Sequence, residues 1–193
     1  MFRSLLIAAV SLFALALLPA SAFADGPAQY VGAKKCKKCH GDVYKSWKKT
    51  ALAKSFEALK PGVKAAEKTK AGLDPEKDYT TDEKCLGCHT TGYGKPGGYA
   101  IGSKTAAKFE GVQCEACHGP GSNYNPIMDD VKKQKRKYKT SEMEAAGLVL
   151  PTKANCETCH SKESPFFTGE FNFEEMKKKG THEHKPLEYR EEG

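Results

Sequence analysis

This chain has no cysteine to spare, no second long apolar run, and only six histidines and one tryptophan among its 193 residues. Its one apolar run, Leu5 to Leu18, follows Arg3, is broken by Pro19 and leads into Ala22-Phe23-Ala24. A bilayer-crossing helix needs about 20 apolar residues, so this short run reads as a secretory leader cleaved after Ala24. With no second run, no transmembrane anchor is expected. No cysteine stands at the cleavage point, which excludes a lipid anchor there. Residues 1–24 are thus the expected leader, and residues 25–193 are long enough for one domain.

The eight cysteines that are present fall into four copies of one pattern. They are Cys36-Lys37-Lys38-Cys39-His40, Cys85-Leu86-Gly87-Cys88-His89, Cys114-Glu115-Ala116-Cys117-His118 and Cys156-Glu157-Thr158-Cys159-His160. Each is a c-type haem attachment site: two thiols one turn apart form thioethers to the haem vinyl groups, and the next histidine meets the iron. A zinc site would not require histidine directly after each pair. A thioredoxin-like dithiol would sit in a βαβ setting that this sequence does not show. Four covalently bound haem c groups, each with its iron, are therefore expected. The cysteines leave nothing over for a structural disulfide.

Haem of this type is attached outside the bacterial inner membrane, so the motifs and the leader both point to the periplasm. Apolar content is modest, and four porphyrins must supply much of the core. The fold class expected is mostly α, a compact multihaem c-type cytochrome with short helices and long haem-wrapping loops. The formal charge of +7 falls to +6 without Arg3. Eight propionates then bring the holoprotein to about +2 oxidised and about −2 reduced, which argues against nucleic acid as a partner.

Along the chain, Val43, Trp47 and Ala51 recur at helical spacing, with Leu52, Phe56 and Leu59 widening the stripe. A helix over Asp42–Lys60 is predicted, stopped by Pro61-Gly62. A lysine-rich helix over Val63–Gly72 and a polar loop over Leu73–Glu83 follow. Residues 90–102 hold five glycines and a proline, which marks a tight loop able to lie close against a haem face. Only 24 residues separate His89 from Cys114, which suggests that the second and third haems are close. Lys132–Lys139 carries six cations in eight residues and reads as a solvated face, or else as a docking surface for an acidic partner. Ser141 and Glu144 form a candidate capping box for a helix ending at Gly147, and Asn172 with Glu175 does the same for a helix closed by Gly180.

Histidines are too few to give every iron two imidazole ligands. His40, His89, His118 and His160 are the proximal set, which leaves His182 and His184 as the remaining imidazoles. Methionine is the usual substitute, and Met128, Met143 and Met176 are the candidates. Either methionines complete some haems, or one or two irons stay open to a small ligand such as NO. No acid–base set is evident beside such an iron.

Several stretches carry a resemblance. They are Ser46–Ala51 through Leu59-Lys60-Pro61, Leu73–Thr80, Gly97-Gly98-Tyr99, Cys114–Gly121, Phe173–Met176 and His182-Glu183-His184. In these the chain resembles the tetrahaem cytochrome c554 family (cytochrome c554/c-prime type), whose best-known member accepts electrons from hydroxylamine oxidoreductase. The resemblance implies a mostly helical core with closely stacked haem pairs. It also implies three bis-histidine haems and a five-coordinate one on Cys85 and Cys88. It assigns the His182/His184 pair to the fourth haem. Where the family has distal histidines this chain has Leu52 and Met128, so Met128 becomes the candidate ligand of the first haem.

Two function classes follow. One is a periplasmic carrier passing single electrons between a donor and an acceptor redox protein. The other is a reductase of a small nitrogen oxide, such as nitric oxide, at a five-coordinate haem.

Overall fold

The structure, a computed structural model, describes residues 26–167 and 169–191. The expected leader over 1–24 lies outside the described residues. Among the described residues no helix is long and apolar enough to cross a membrane. Regular structure consists of nine short α-helices and two 3-10 turns, and two isolated bridges are the only β pairing among the described residues. The helices are α1 (Ala33–Cys36), α2 (Gly41–Trp47), α3 (Ala65–Lys70), α4 (Glu83–His89), α5 (Cys114–His118), α6 (Tyr124–Gln134), α7 (Thr140–Ala145), α8 (Lys153–Glu157) and α9 (Phe173–Lys179).

The single helix expected over Asp42–Lys60 is two elements. α2 stops at Trp47 and a 3-10 segment runs over Leu52–Leu59. Thr50 causes the break: its hydroxyl donates to the Trp47 carbonyl at 2.7 Å and accepts from the Ala53 N–H, replacing the backbone ladder there. The stripe survives in part. Trp47, Phe56 and Leu59 are buried and Ala51 is exposed. Trp47 Nε1 donates to the Val112 carbonyl at 2.9 Å, which fastens α2 to the segment entering the third motif.

α3 and α9 lie inside their predicted ranges, and Asn172 caps α9 by accepting from the Glu175 N–H. The capping box expected at Ser141–Glu144 is absent, since α7 starts at Thr140 without a side-chain cap. The box occurs instead at Thr152–Asn155 and opens α8, which carries Cys156.

Two small apolar clusters flank the motifs. Phe56, Leu59, Tyr79, Leu86, Tyr99 and Phe109 form the first, and Tyr124, Val131, Tyr138, Met143 and Ala146 the second. The basic run is only partly a solvated face. Arg136 is held by Asp130 and Glu142 at 3.1 and 2.6 Å, Lys132 donates to the Lys38 carbonyl, and Tyr138 is buried.

The glycine loop over 90–102 closes on itself. A Cβ on Gly98 would stand 2.1 Å from the Gly92 carbonyl oxygen, whereas one on Gly94 (φ +66°) would meet nothing. Gly98→Ala is therefore expected to destabilise by about 3 kcal/mol through overpacking, and Gly94→Ala by about 1 kcal/mol through backbone strain. Thermal unfolding of the two holoprotein variants checks that ranking.

Candidate functional site

Each attachment motif is placed by a short helix or turn. α4 and α5 contain the second and third motifs whole, α1 ends at Cys36, and α8 carries Cys156. Turning the chain once over five residues brings each thiol pair and its histidine together.

The motifs are then gathered by their sulfurs. The Cys36 sulfur lies beside that of Cys114, and α1 packs against α5, so the first and third motifs are neighbours. The Cys88 and Cys159 sulfurs lie beside each other, which brings the second motif to the fourth. Cys117 of the third motif has Cys156 and Cys159 of the fourth nearby. The third motif thus also neighbours the fourth. The order in space is first, third, fourth, second. The sequence spacing suggested second near third, and the segments do meet: the Gly111 N–H donates to the His89 carbonyl at 3.0 Å and the Gln113 N–H to Thr91 Oγ1 at 2.9 Å. The sulfurs, however, lie closest first to third and second to fourth.

A buried carboxylate holds the first pair in place. Glu115, inside the third motif, is 1% exposed. It accepts from the N–H groups of Val31 (2.8 and 3.1 Å), Gly32 (2.6 Å) and Gly121 (2.7 Å). Gln113 adds a fourth tie by accepting from the Ala33 N–H at 2.9 Å. The lead-in to the first motif is therefore stitched to the third. Nothing in the sequence distinguishes Glu115 from Glu157 at the equivalent place in the fourth motif.

The histidines present the atoms an iron needs. His89 Nδ1 lies 2.6 Å from the Ser55 carbonyl oxygen, and His118 Nδ1 lies 3.1 Å from that of Val149. Each ring thus gives its Nδ1–H to the backbone and leaves Nε2 free, the usual support for a metal-bound imidazole. Burial lowers the pKa of His40 and of His118, which favours the neutral rings that ligation requires. His160 is exposed and stacks on Phe171 at 4.7 Å.

His182 and His184 differ. The His182 ring lies 6.4 Å from that of His118, tilted by 31°. A metal held between two imidazoles by bonds of about 2 Å separates the ring centres by roughly 6 Å, so the pair has the right spacing. His182 Nδ1 faces the Glu183 carbonyl and leaves Nε2 free, whereas His184 Nε2 is engaged by Thr181 Oγ1 and the Lys177 carbonyl. The tail that carries them is held on α2 by the Glu183 N–H, which donates to Ser46 Oγ at 3.0 Å. The tail thus brings His182 to His118 of the third motif, whereas the resemblance assigned the pair to the fourth haem.

Met128 is half-buried on α6 and packs against the second cluster. Its neighbour Asp129 pairs with Lys38 inside the first motif at 3.6 Å, so the helix lies against that motif. Met143 is 1% exposed within the second cluster, and Met176 is exposed. Leu52 is half-buried in the 3-10 segment that packs on α4.

These residues fit covalently bound haem, and comparison with known proteins agrees. A sequence profile described as "Cytochrome c554 and c-prime" matches residues 35–119. Cytochrome c-554 of Nitrosomonas europaea is 40% identical over 188 residues, covering 86% of this chain and 79% of that protein. The chain belongs to the cytochrome c554 family. The structure of reduced cytochrome c554 from the same organism superposes with a TM-score of 0.75 at 38% identity, covering 86% of this chain and 91% of that one. The protein is accordingly a tetrahaem c-type cytochrome of mostly α fold that carries electrons.

Proposed function

We propose that this cytochrome is a periplasmic relay whose four haem sites are arranged in series, first–third–fourth–second. The neighbouring sulfur pairs Cys36–Cys114 and Cys88–Cys159 carry the reading, because thioether sulfurs fix where the edges of neighbouring porphyrins lie. Bound haem supplies the one-electron ferric–ferrous couple. The polypeptide supplies spacing, axial ligands and burial, and redox proteins are the partners at either end. The leader over residues 1–24 supports export. Iron positions in holoprotein crystals test the order. First–third and second–fourth should be the shortest separations, and a second site adjoining the third but not the fourth would overturn it.

Within this relay His40, His89, His118 and His160 are the proximal ligands, His182 completes the third site, and Met128 serves the first. A methionine in place of imidazole raises the reduction potential. Met128→Ala should remove a methionine-to-iron absorption band and lower one midpoint potential, and an unchanged spectrum would refute the assignment. With His184 engaged elsewhere, no histidine remains for the distal side of the second and fourth sites. At least one high-spin iron open to NO is therefore expected in electron paramagnetic resonance of the ferric holoprotein. Four low-spin signals with no high-spin component would count against it.

A further inference from the structure

The positive charge of this chain is concentrated. Residues 33–54 hold eight lysines and one aspartate. Elsewhere 23 Lys and Arg face 23 Asp and Glu, so this stretch accounts for the whole formal excess of seven. All eight lysines are exposed. Lys45 pairs with Asp42 at 3.2 Å and Lys38 with Asp129 at 3.6 Å. Lys34, Lys35, Lys37, Lys48, Lys49 and Lys54 have no acidic partner among the described residues.

These lysines surround a haem site. α1 ends at Cys36, α2 begins immediately after His40, and the two helices pack together. Lys34 and Lys48 line one hollow together with Tyr44 and Trp47, and its lining also includes Lys108, Glu57 and Glu110. The first motif also stands at one end of the proposed row, where α1 packs against α5 of the third motif. An end of a relay is where electrons must enter or leave.

We propose that this lysine face is the docking surface for an acidic redox protein, which exchanges electrons through the first haem. The terminal position of that haem rests on the serial order proposed above; the charge asymmetry does not. Unpaired like charges repel one another, and the remainder of the chain avoids that cost by balancing its own. A partner of opposite sign removes the repulsion and is steered to the site. An anionic membrane is the poorer match. Membrane-surface segments add apolar wedges to their basic residues, and the exposed large apolar side chains Val63, Ile101, Val149, Leu150, Phe166 and Met176 all lie outside residues 33–54.

Stopped-flow kinetics with reduced plant-type [2Fe–2S] ferredoxin, an acidic one-electron donor, test this. Each productive encounter oxidises one ferredoxin cluster by one electron and reduces one ferric haem to ferrous. Two holoprotein variants of equal net charge are compared after their mass confirms four haems. One carries Lys34→Glu, Lys48→Glu and Lys49→Glu, and the other Lys70→Glu, Lys95→Glu and Lys162→Glu. The first should lose about ten-fold or more of the second-order rate at low ionic strength, within the range electrostatic steering supplies, and most of its salt dependence. The second should lose less than about two-fold by the same reasoning. Hexaammineruthenium(II), a small cation, should reduce both at least as fast as the parent.

Equal losses in the two variants would overturn the proposal in favour of net charge alone. No loss in either would overturn it by showing that the haem propionates already neutralise these lysines. Salt-sensitive binding to phosphatidylglycerol vesicles with an unchanged ferredoxin rate would overturn it in favour of a membrane surface. If crystals of the holoprotein refute the serial order while the two variants still diverge, the docking face stands and only its terminal position is lost.

Discussion

Glu115→Ala is expected to destabilise the holoprotein by about 3–5 kcal/mol, the range for breaking a buried, hydrogen-bonded charge site. The substitution strands the Val31, Gly32 and Gly121 N–H groups, which the carboxylate now receives at 2.6–3.1 Å. An unpaired buried donor costs about 1–3 kcal/mol. Partial entry of water and relaxation of the exit at Gly121 keep the total below the sum of three full penalties. Glu115→Gln retains one acceptor oxygen and should lose roughly half as much. Thermal unfolding of haem-complete protein gives the comparison, and a loss below about 1 kcal/mol for the alanine variant would show that the stitch is not structural. A second effect follows from position. Glu115 ties the lead-in of the first motif to the third, so the alanine variant should also weaken magnetic coupling between those two ferric sites. The second and fourth sites should keep theirs.

What the sequence made legible was local. A Cys-x-x-Cys-His motif closes its own geometry within five residues, so all four sites could be read without knowing the fold. The α9 cap could be read the same way, because Asn172 and Glu175 are three residues apart. The pairing of sites was legible only in part: closeness in sequence points to the second and third motifs, whose flanking segments do meet at His89 and Gly111, but Cys36 and Cys114 are 78 residues apart. Glu115 was hidden for a related reason. Its three donors come from residues 31, 32 and 121, and only the assembled fold turns them inward. The break after Trp47 is not legible in the sequence because hydrophobic periodicity continues across it. The Thr50 hydroxyl, not the apolar stripe, decides where α2 ends. The choice between His182 and His184 also needed the fold, since hydrogen bonds to Thr181 and Lys177 decide which Nε2 is free.

That choice makes the sharpest spectroscopic prediction. His182→Ala should convert one low-spin ferric haem to a high-spin form and add one site that binds NO, while His184→Ala should leave the haem spectrum unchanged. The His118–His182 ring spacing of 6.4 Å matches two imidazoles sharing one metal, and the Nδ1 atom of each faces a carbonyl oxygen. His184 turns its Nε2 to Thr181 Oγ1 and the Lys177 carbonyl, so its loss removes tail contacts and no ligand. Adding imidazole to His182→Ala should restore the low-spin signal, which a merely unfolded tail would not permit. The reverse pattern, with His184→Ala changing the spin state and His182→Ala silent, would exchange the two roles. Should both variants stay low-spin, His118 must find its partner elsewhere on the chain. Axial ligand identity is one of the levers a protein has over haem potential. Which of two histidines two residues apart meets the iron therefore decides whether the third site, next to the first in the row, passes electrons on or stops to bind a ligand.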